Sequence, residues 1–209
     1  MGQPEGDVPV RTPGIRREED GDAAPAAPPD AHAASYAVPV PTLLVSGARI
    51  ARTLDRLAAE IVEHHRGADR LVVVGIRTRG DALADALAAR IAALVAHDVP
   101  SVGLDVSSYR DDRPAPTATD APEAMPPLDG ATVLLVDDVL HTGRTIRAAL
   151  DAVVRAGRPA QIRLAVLVDR GAREFPVRAD YVGRTLPVRP SERVRIEPGE
   201  GFAVYLDPA

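Results

Sequence analysis

Residues 133–145 read VLLVDDVLHTGRT: an apolar run, two adjacent carboxylates, then a threonine–glycine turn opening a new amphipathic stretch. A short, uninterrupted apolar run is a strand buried on both faces, which needs helices above and below it and parallel neighbours beside it. The flanking sequence supplies them. Ser46 is placed to cap a helix whose apolar face holds Ile50, Leu54, Leu57, Ala58, Ile61 and Val62 and which ends near Gly67. Residues 71–76 (LVVVGI) predict a buried strand, 77–80 a loop, and the stretch from Asp81 a helix with Leu83, Leu87, Ile91 and Leu94 inward. Strands are predicted over 102–108 and 132–136, then a helix with Ile146, Leu150, Val153 and Val154 inward, stopped by Gly157 and Pro159. A strand over 162–168 and shorter β pieces at 181–188, 193–196 and 202–206 complete the chain. Such alternation predicts an α/β class with a central parallel sheet flanked by helices, its ligand held beyond the carboxyl ends of the strands.

That edge is where Asp137 and Asp138 fall. Behind them Gly143 allows backbone amides to converge, Thr142 and Thr145 add hydroxyls, and a helix N-terminus contributes partial positive charge, a combination suited to a dianionic phosphate. The carboxylates would repel that phosphate if they faced it. They fit as acceptors for ribose hydroxyls a few ångströms away, and the same acidic edge can attract hydrated Mg²⁺. One phosphorylated ribose satisfies both halves. Two other readings stand beside this one. An isolated acid pair is commonly a solvated strand end, with Thr142 an ordinary helix cap. A phospho-acceptor receiver domain also ends a strand in paired acids, although there the pair closes the first strand of the chain.

Composition narrows the chemistry. Cysteine is absent, so disulfides, thiolate metal sites and thiol nucleophiles are excluded, and nothing requires an oxidising compartment. A net charge of −5 argues against coating nucleic acid through global charge, and 3% aromatic residues leave arginine as the main means of contacting RNA. No run of about eighteen apolar residues is present, so no membrane partner and a cytoplasmic location are expected. Residues 1–40 mix Pro, Ala, Gly and scattered charge without an apolar period, which predicts a disordered tail before one domain at 41–209. Among the histidines, His64 and His65 fall at a helix end, where a favourable dipole interaction is the expected role; His32 and His97 belong to no constellation.

The string Val133, Leu134, Leu135, Val136, Asp137, Asp138, Val139, Leu140, His141, Thr142, Gly143, Arg144, Thr145 resembles the phosphoribosyl pyrophosphate (PRPP) signature of type I phosphoribosyltransferases. VVGIRTRG at 73–80, SYRDD at 108–112, AVLVDRG at 165–171 and VRADYVG at 177–183 resemble, in order, further blocks of the PyrR family within it, bacterial pyrimidine-operon attenuators that are also uracil phosphoribosyltransferases. The resemblance runs from about residue 43 to the C-terminus.

It implies the type I fold, with a small C-terminal hood and a flexible lid at about 108–129 that includes Tyr109 and Arg110. It implies that Arg77, Thr78, Arg79 and Gly80 form a pyrophosphate loop, and that Asp137, Asp138 and Arg79 act in the transfer of ribose phosphate from PRPP to uracil, giving UMP and pyrophosphate. Mg²⁺ is implied as cofactor, held indirectly through PRPP with Asp137 and Asp138 as candidate contacts. His141 occupies a position that borders the site in this family. The resemblance also implies regulation by UMP or UTP, a homodimer or higher homo-oligomer, and a basic face for pyr leader mRNA, onto which Arg56, Arg173, Arg178 and Arg184 map. Asp55, Ala59 and Ala172 depart from the family's usual threonine and histidines there, and an acid at 55 is expected to repel RNA. A phosphoribosyltransferase or PRPP sensor without RNA binding is the other expectation.

Overall fold

In the computed structural model, residues 40–110, 125–198 and 201–208 are described. Residues 1–39 of the expected tail and the part of the expected lid at 111–124 lie outside them. The elements are β1 (Thr42–Val45), α1 (Gly47–His65), β2 (Leu71–Ile76), α2 (Gly80–Val95), β3 (Ser101–Leu104), β4 (Thr132–Leu140), α3 (Arg144–Ala156), β5 (Gln161–Asp169), β6 (Tyr181–Thr185), β7 (Arg193–Glu197) and β8 (Ala203–Asp207).

Five strands form a parallel sheet in the order β3-β2-β4-β5-β6. The pleat of β4 explains the layers, because alternate side chains leave opposite faces. Leu134 and Val136 pack with Leu54, Leu57, Leu83 and Leu87 of α1 and α2, whereas Val133 and Leu135 pack with Ile146, Ala149 and Val153 of α3. Truncating a fully buried leucine such as Leu134 to alanine would cost roughly 2–5 kcal/mol. A second, antiparallel sheet in the order β1-β8-β7 joins the two ends of the described chain. It is the hood, and its strand β1 was not foreseen.

Several expected boundaries shift. Leu94 and Val154, expected inward, are exposed, and alanines (Ala84, Ala88, Ala148, Ala149, Ala152) take the close-packed helix positions instead. The strand expected over 102–108 stops at Leu104, where the Asp105 carboxylate accepts the Ser107 N–H at 2.8 Å and a short 3-10 turn, Ser107–Tyr109, follows. Ser46 precedes α1, but only its carbonyl bonds to the helix, at the N–H groups of Arg49 and Ile50. The strand begun at Tyr181 ends at Thr185 rather than running to Val188.

Candidate active site

The site forms where β2 leaves β4. Their pairing ends at Gly75 with Val136, but β4 continues beside β5 as far as Leu140 with Asp169. Asp137 and Asp138 therefore lie within a strand that is paired on one side only. The vacated side is crossed by residues 77–79, which turn from β2 into α2 through a cis peptide between Arg77 and Thr78. Gly80 is needed at this crossing, because a Cβ there would stand 2.5 Å from the Val136 carbonyl oxygen.

Asp137 is buried and its Oδ1 accepts the Asp138 N–H at 2.9 Å; Asp138 Oδ1 accepts the Val139 N–H at 2.7 Å. Burial, then the neighbouring Asp138 charge, push the Asp137 carboxyl well above its usual range. Burial also raises Asp138, opposed by the Val139 N–H and by Arg79, whose Nη1 is 3.9 Å from Asp138 Oδ2. Acids in this state are poised to accept hydroxyls or to gain from an arriving cation.

A cavity of about 460 Å³ is lined by Arg77, Thr78, Arg79, Asp105, Val106, Ser107, Arg110, Asp137, Asp138, Val139, Thr145 and Arg193. It brings together the expected pyrophosphate loop, the acid pair, Thr145 and Arg110. Val133, Leu134 and Leu135 are buried core residues that hold the strand and do not line the cavity. Tyr109, expected at the start of the lid, is buried, packed with α3 residues and with the Arg155 guanidinium 6.0 Å from its ring centre. Asp105, Ser107 and Arg193 were not foreseen. Asp105 follows a parallel strand, so the strand-end rule could have found it; Arg193 arrives from the hood, for which the sequence offered no spacing signal.

Beside the cavity, Gly143 adopts φ 91° and its carbonyl accepts the first α3 hydrogen bond, from Arg147, at 2.9 Å. The first-turn N–H groups of α3 have no intrahelical acceptor. Thr142 Oγ1 accepts the Arg144 N–H at a long 3.4 Å, while its carbonyl accepts N–H groups from Glu174 and Phe175, each at 2.9 Å. The Arg144 side chain pairs with Glu174 and lies over the Phe175 ring. At His141, burial, then Arg170, lower the imidazole pKa.

The expected RNA contacts divide. Arg178 is exposed. Arg56 donates to the carbonyls of Val182 and Gly183 and pairs with Glu60. Arg184 is half-buried, its Nε without a hydrogen-bond partner. Arg173 is turned inward, with hydrogen bonds to Asp169 and four backbone carbonyls. Asp55 is exposed, and Arg90 Nε donates to its carboxylate at 2.8 Å. The dipole role expected of His65 is overridden: burial, His64 and Arg163 lower its pKa, and its Nε2 lies 3.2 Å from the Tyr181 hydroxyl.

Among the described residues no group of three or more His, Cys, Asp or Glu is arranged to hold a metal ion, and no helix is long and apolar enough to cross a membrane. The oxygen-only acid pair nevertheless suits a hard cation that brings most of its ligands with a substrate.

The phosphoribosyl transferase domain family matches residues 44–194. The bifunctional protein PyrR of Deinococcus deserti is 47% identical over 165 residues, covering 76% of this chain and 88% of that protein. That of Limosilactobacillus reuteri is 48% identical over 158 residues, covering 73% and 89%. Among solved structures, the hypoxanthine phosphoribosyltransferase of Trypanosoma cruzi superposes with a TM-score of 0.61 over 80% of this chain and 97% of its own, at 19% identity, a likeness of fold.

Proposed function

The chain belongs to the phosphoribosyl transferase domain family, among its PyrR members, and we propose that it is a uracil phosphoribosyltransferase that also regulates pyr transcription by binding leader mRNA. The observation that carries the enzymatic reading is the meeting of Arg77, Thr78, Arg79, Asp137, Asp138 and Thr145 around one cavity.

In this reading the α3 N-terminus and Thr145 hold the 5′-phosphate of PRPP, Asp137 and Asp138 accept the ribose hydroxyls, and residues 77–79 hold the pyrophosphate. Uracil nitrogen forms the new bond to the ribose C1 as the C1–oxygen bond to pyrophosphate breaks, and the proton of that nitrogen is released to solvent or to the departing pyrophosphate. Positive charge on the ring in the transition state sits beside the acid pair, and charge gathering on the departing pyrophosphate meets Arg77 and Arg79. Mg²⁺ would enter with PRPP, with Asp137 and Asp138 as its protein contacts, and would neutralise pyrophosphate charge. Arg110, at the start of the expected lid, stands where closure would exclude water.

The RNA reading rests on exposed Arg178 and on the family. UMP or UTP in the same cavity would set RNA affinity, in a cytoplasmic homodimer or higher homo-oligomer. A panel of bases with PRPP and Mg²⁺, run beside gel-shift binding to the pyr leader, tests both halves. Uracil alone is expected to yield nucleotide, with UMP-enhanced binding of leader over scrambled RNA. Nucleotide formation without RNA discrimination would leave a phosphoribosyltransferase that has lost its regulatory partner, and no nucleotide from any base would end the enzymatic reading.

A further inference from the structure

Arg173 lies in the segment after β5 and is spent on the backbone that enters the phosphate turn. The two N–H groups of its Nη1 are shared among the carbonyls of His141 at 2.7 Å, Gly171 at 3.1 Å and Leu140 at 3.3 Å; its Nε donates to Val177 at 3.1 Å. Nη2 donates to Asp169 Oδ2 at 2.6 Å, and only 22% of the side chain is exposed. Burial pushes the Asp169 carboxyl up, but the Arg173 hydrogen bond, the Gly171 N–H and the Arg173 charge outweigh it and hold it below its usual range.

Two of the carbonyls belong to the last residue of β4 and the first residue after it. The next carbonyl, that of Thr142, accepts from Glu174 and Phe175, and a Cβ on Gly143 would meet the Phe175 Cβ at 3.2 Å. Residues 171–177 thus brace 140–144 from outside, and the Arg173 side chain ties both strand ends to this brace. A planar guanidinium with fixed donors can serve this many acceptors; an ammonium is a point charge with three donors.

We propose that Arg173 is a positioning residue for the phosphate turn: it fixes the backbone at Leu140 and His141 so that the N–H groups opening α3 converge on a 5′-phosphate. This rests on the reading of residues 133–145 as a phosphorylated-ribose site. Arg173 does not line the cavity, so its effect should fall on the phosphate of a ligand and spare the nucleoside portion. Binding groups of this kind need their geometry held to about half an ångström by the residues behind them.

Calorimetric titration of UMP and of uridine into the wild-type protein, Arg173→Gln, Arg173→Lys and Asp169→Asn separates these contributions, with thermal melts of each protein as the control for folding. The wild-type protein is expected to prefer UMP. That preference should fall about tenfold in Arg173→Gln and Arg173→Lys with uridine affinity unchanged. It should fall less in Asp169→Asn, which keeps an acceptor for the Gly171 N–H. Folded variants that retain the wild-type preference would overturn the proposal; should Arg173→Gln not fold, Arg173→Lys and Asp169→Asn decide it. A wild-type protein that binds UMP no better than uridine would instead refute the phosphate site itself.

Discussion

Arg79 Nη1 stands 3.9 Å from Oδ2 of Asp138, across the gap where β2 parts from β4. The contact links the loop read as the pyrophosphate holder to the acids read as the ribose acceptors, so one loop movement is felt at both. It is long for an ion pair and 43% of the Arg79 side chain is exposed, so it adds little stability and leaves the guanidinium available to a ligand.

Asp137→Asn and Asp138→Asn are expected to fold and fail. Asparagine matches the carboxylate in size and keeps an oxygen for the N–H groups of Asp138 and Val139, so melting temperatures should stay within a few degrees of wild type. Losing a charged acceptor for ribose hydroxyls should lower kcat/KM for PRPP by roughly 10- to 100-fold. Steady-state UMP formation, with a thermal melt of each variant, measures both.

Gly80→Ala is expected to damage fold and activity together. The added carbon would meet the Val136 carbonyl oxygen at 2.5 Å and Asp137 Cα at 3.3 Å, both backbone atoms that no rotamer change can move. A loss of about 1–3 kcal/mol in denaturant unfolding is expected from overpacking, with residues 77–79 displaced from the acid pair.

Stability should decline on mild acidification through His65. Its pKa is lowered in the folded protein from 6.5 by burial first, then by His64 and Arg163, with Asp180 opposing. A group whose folded pKa is depressed contributes stability that is present above the unfolded value and lost as pH falls through the folded one. The difference in melting temperature between about pH 7.5 and about pH 5.5 should shrink in His65→Gln, which keeps an acceptor for Tyr181. His141, lowered in the same direction, supplies part of the wild-type slope that remains.

At the expected RNA face, neutralising Asp55 should matter little. Its carboxylate is already engaged by Arg90, itself tied to the Ala86 carbonyl, so Asp55→Asn is expected to change leader-RNA affinity by less than about threefold. Arg178→Ala should weaken binding more and reduce its salt dependence. Filter binding across a salt series compares the two.

What the sequence made legible was local. The apolar run of β2, the acid pair and Gly143 each have a period or a backbone requirement that survives without knowledge of the partners. What it hid was non-local. Leu94 and Val154 satisfy a helical period yet face outward, because small alanines let α2 and α3 approach the sheet along a neighbouring line. Strand β1 is four residues long and exists through its pairing with β8 at the other end of the chain. Arg193 reaches the cavity on that same small sheet, and Arg173 was read as surface because no spacing reveals that a guanidinium folds back onto its own backbone.

The assignment of residues 133–145 to a phosphorylated ribose is tested most directly by calorimetric titration of PRPP with Mg²⁺ into the wild-type protein and into Asp137→Asn/Asp138→Asn. Saturable binding of one PRPP per chain, lost or weakened at least about tenfold in the double variant, is the expected result. Absence of saturable binding, or equal affinity in both proteins, would contradict it.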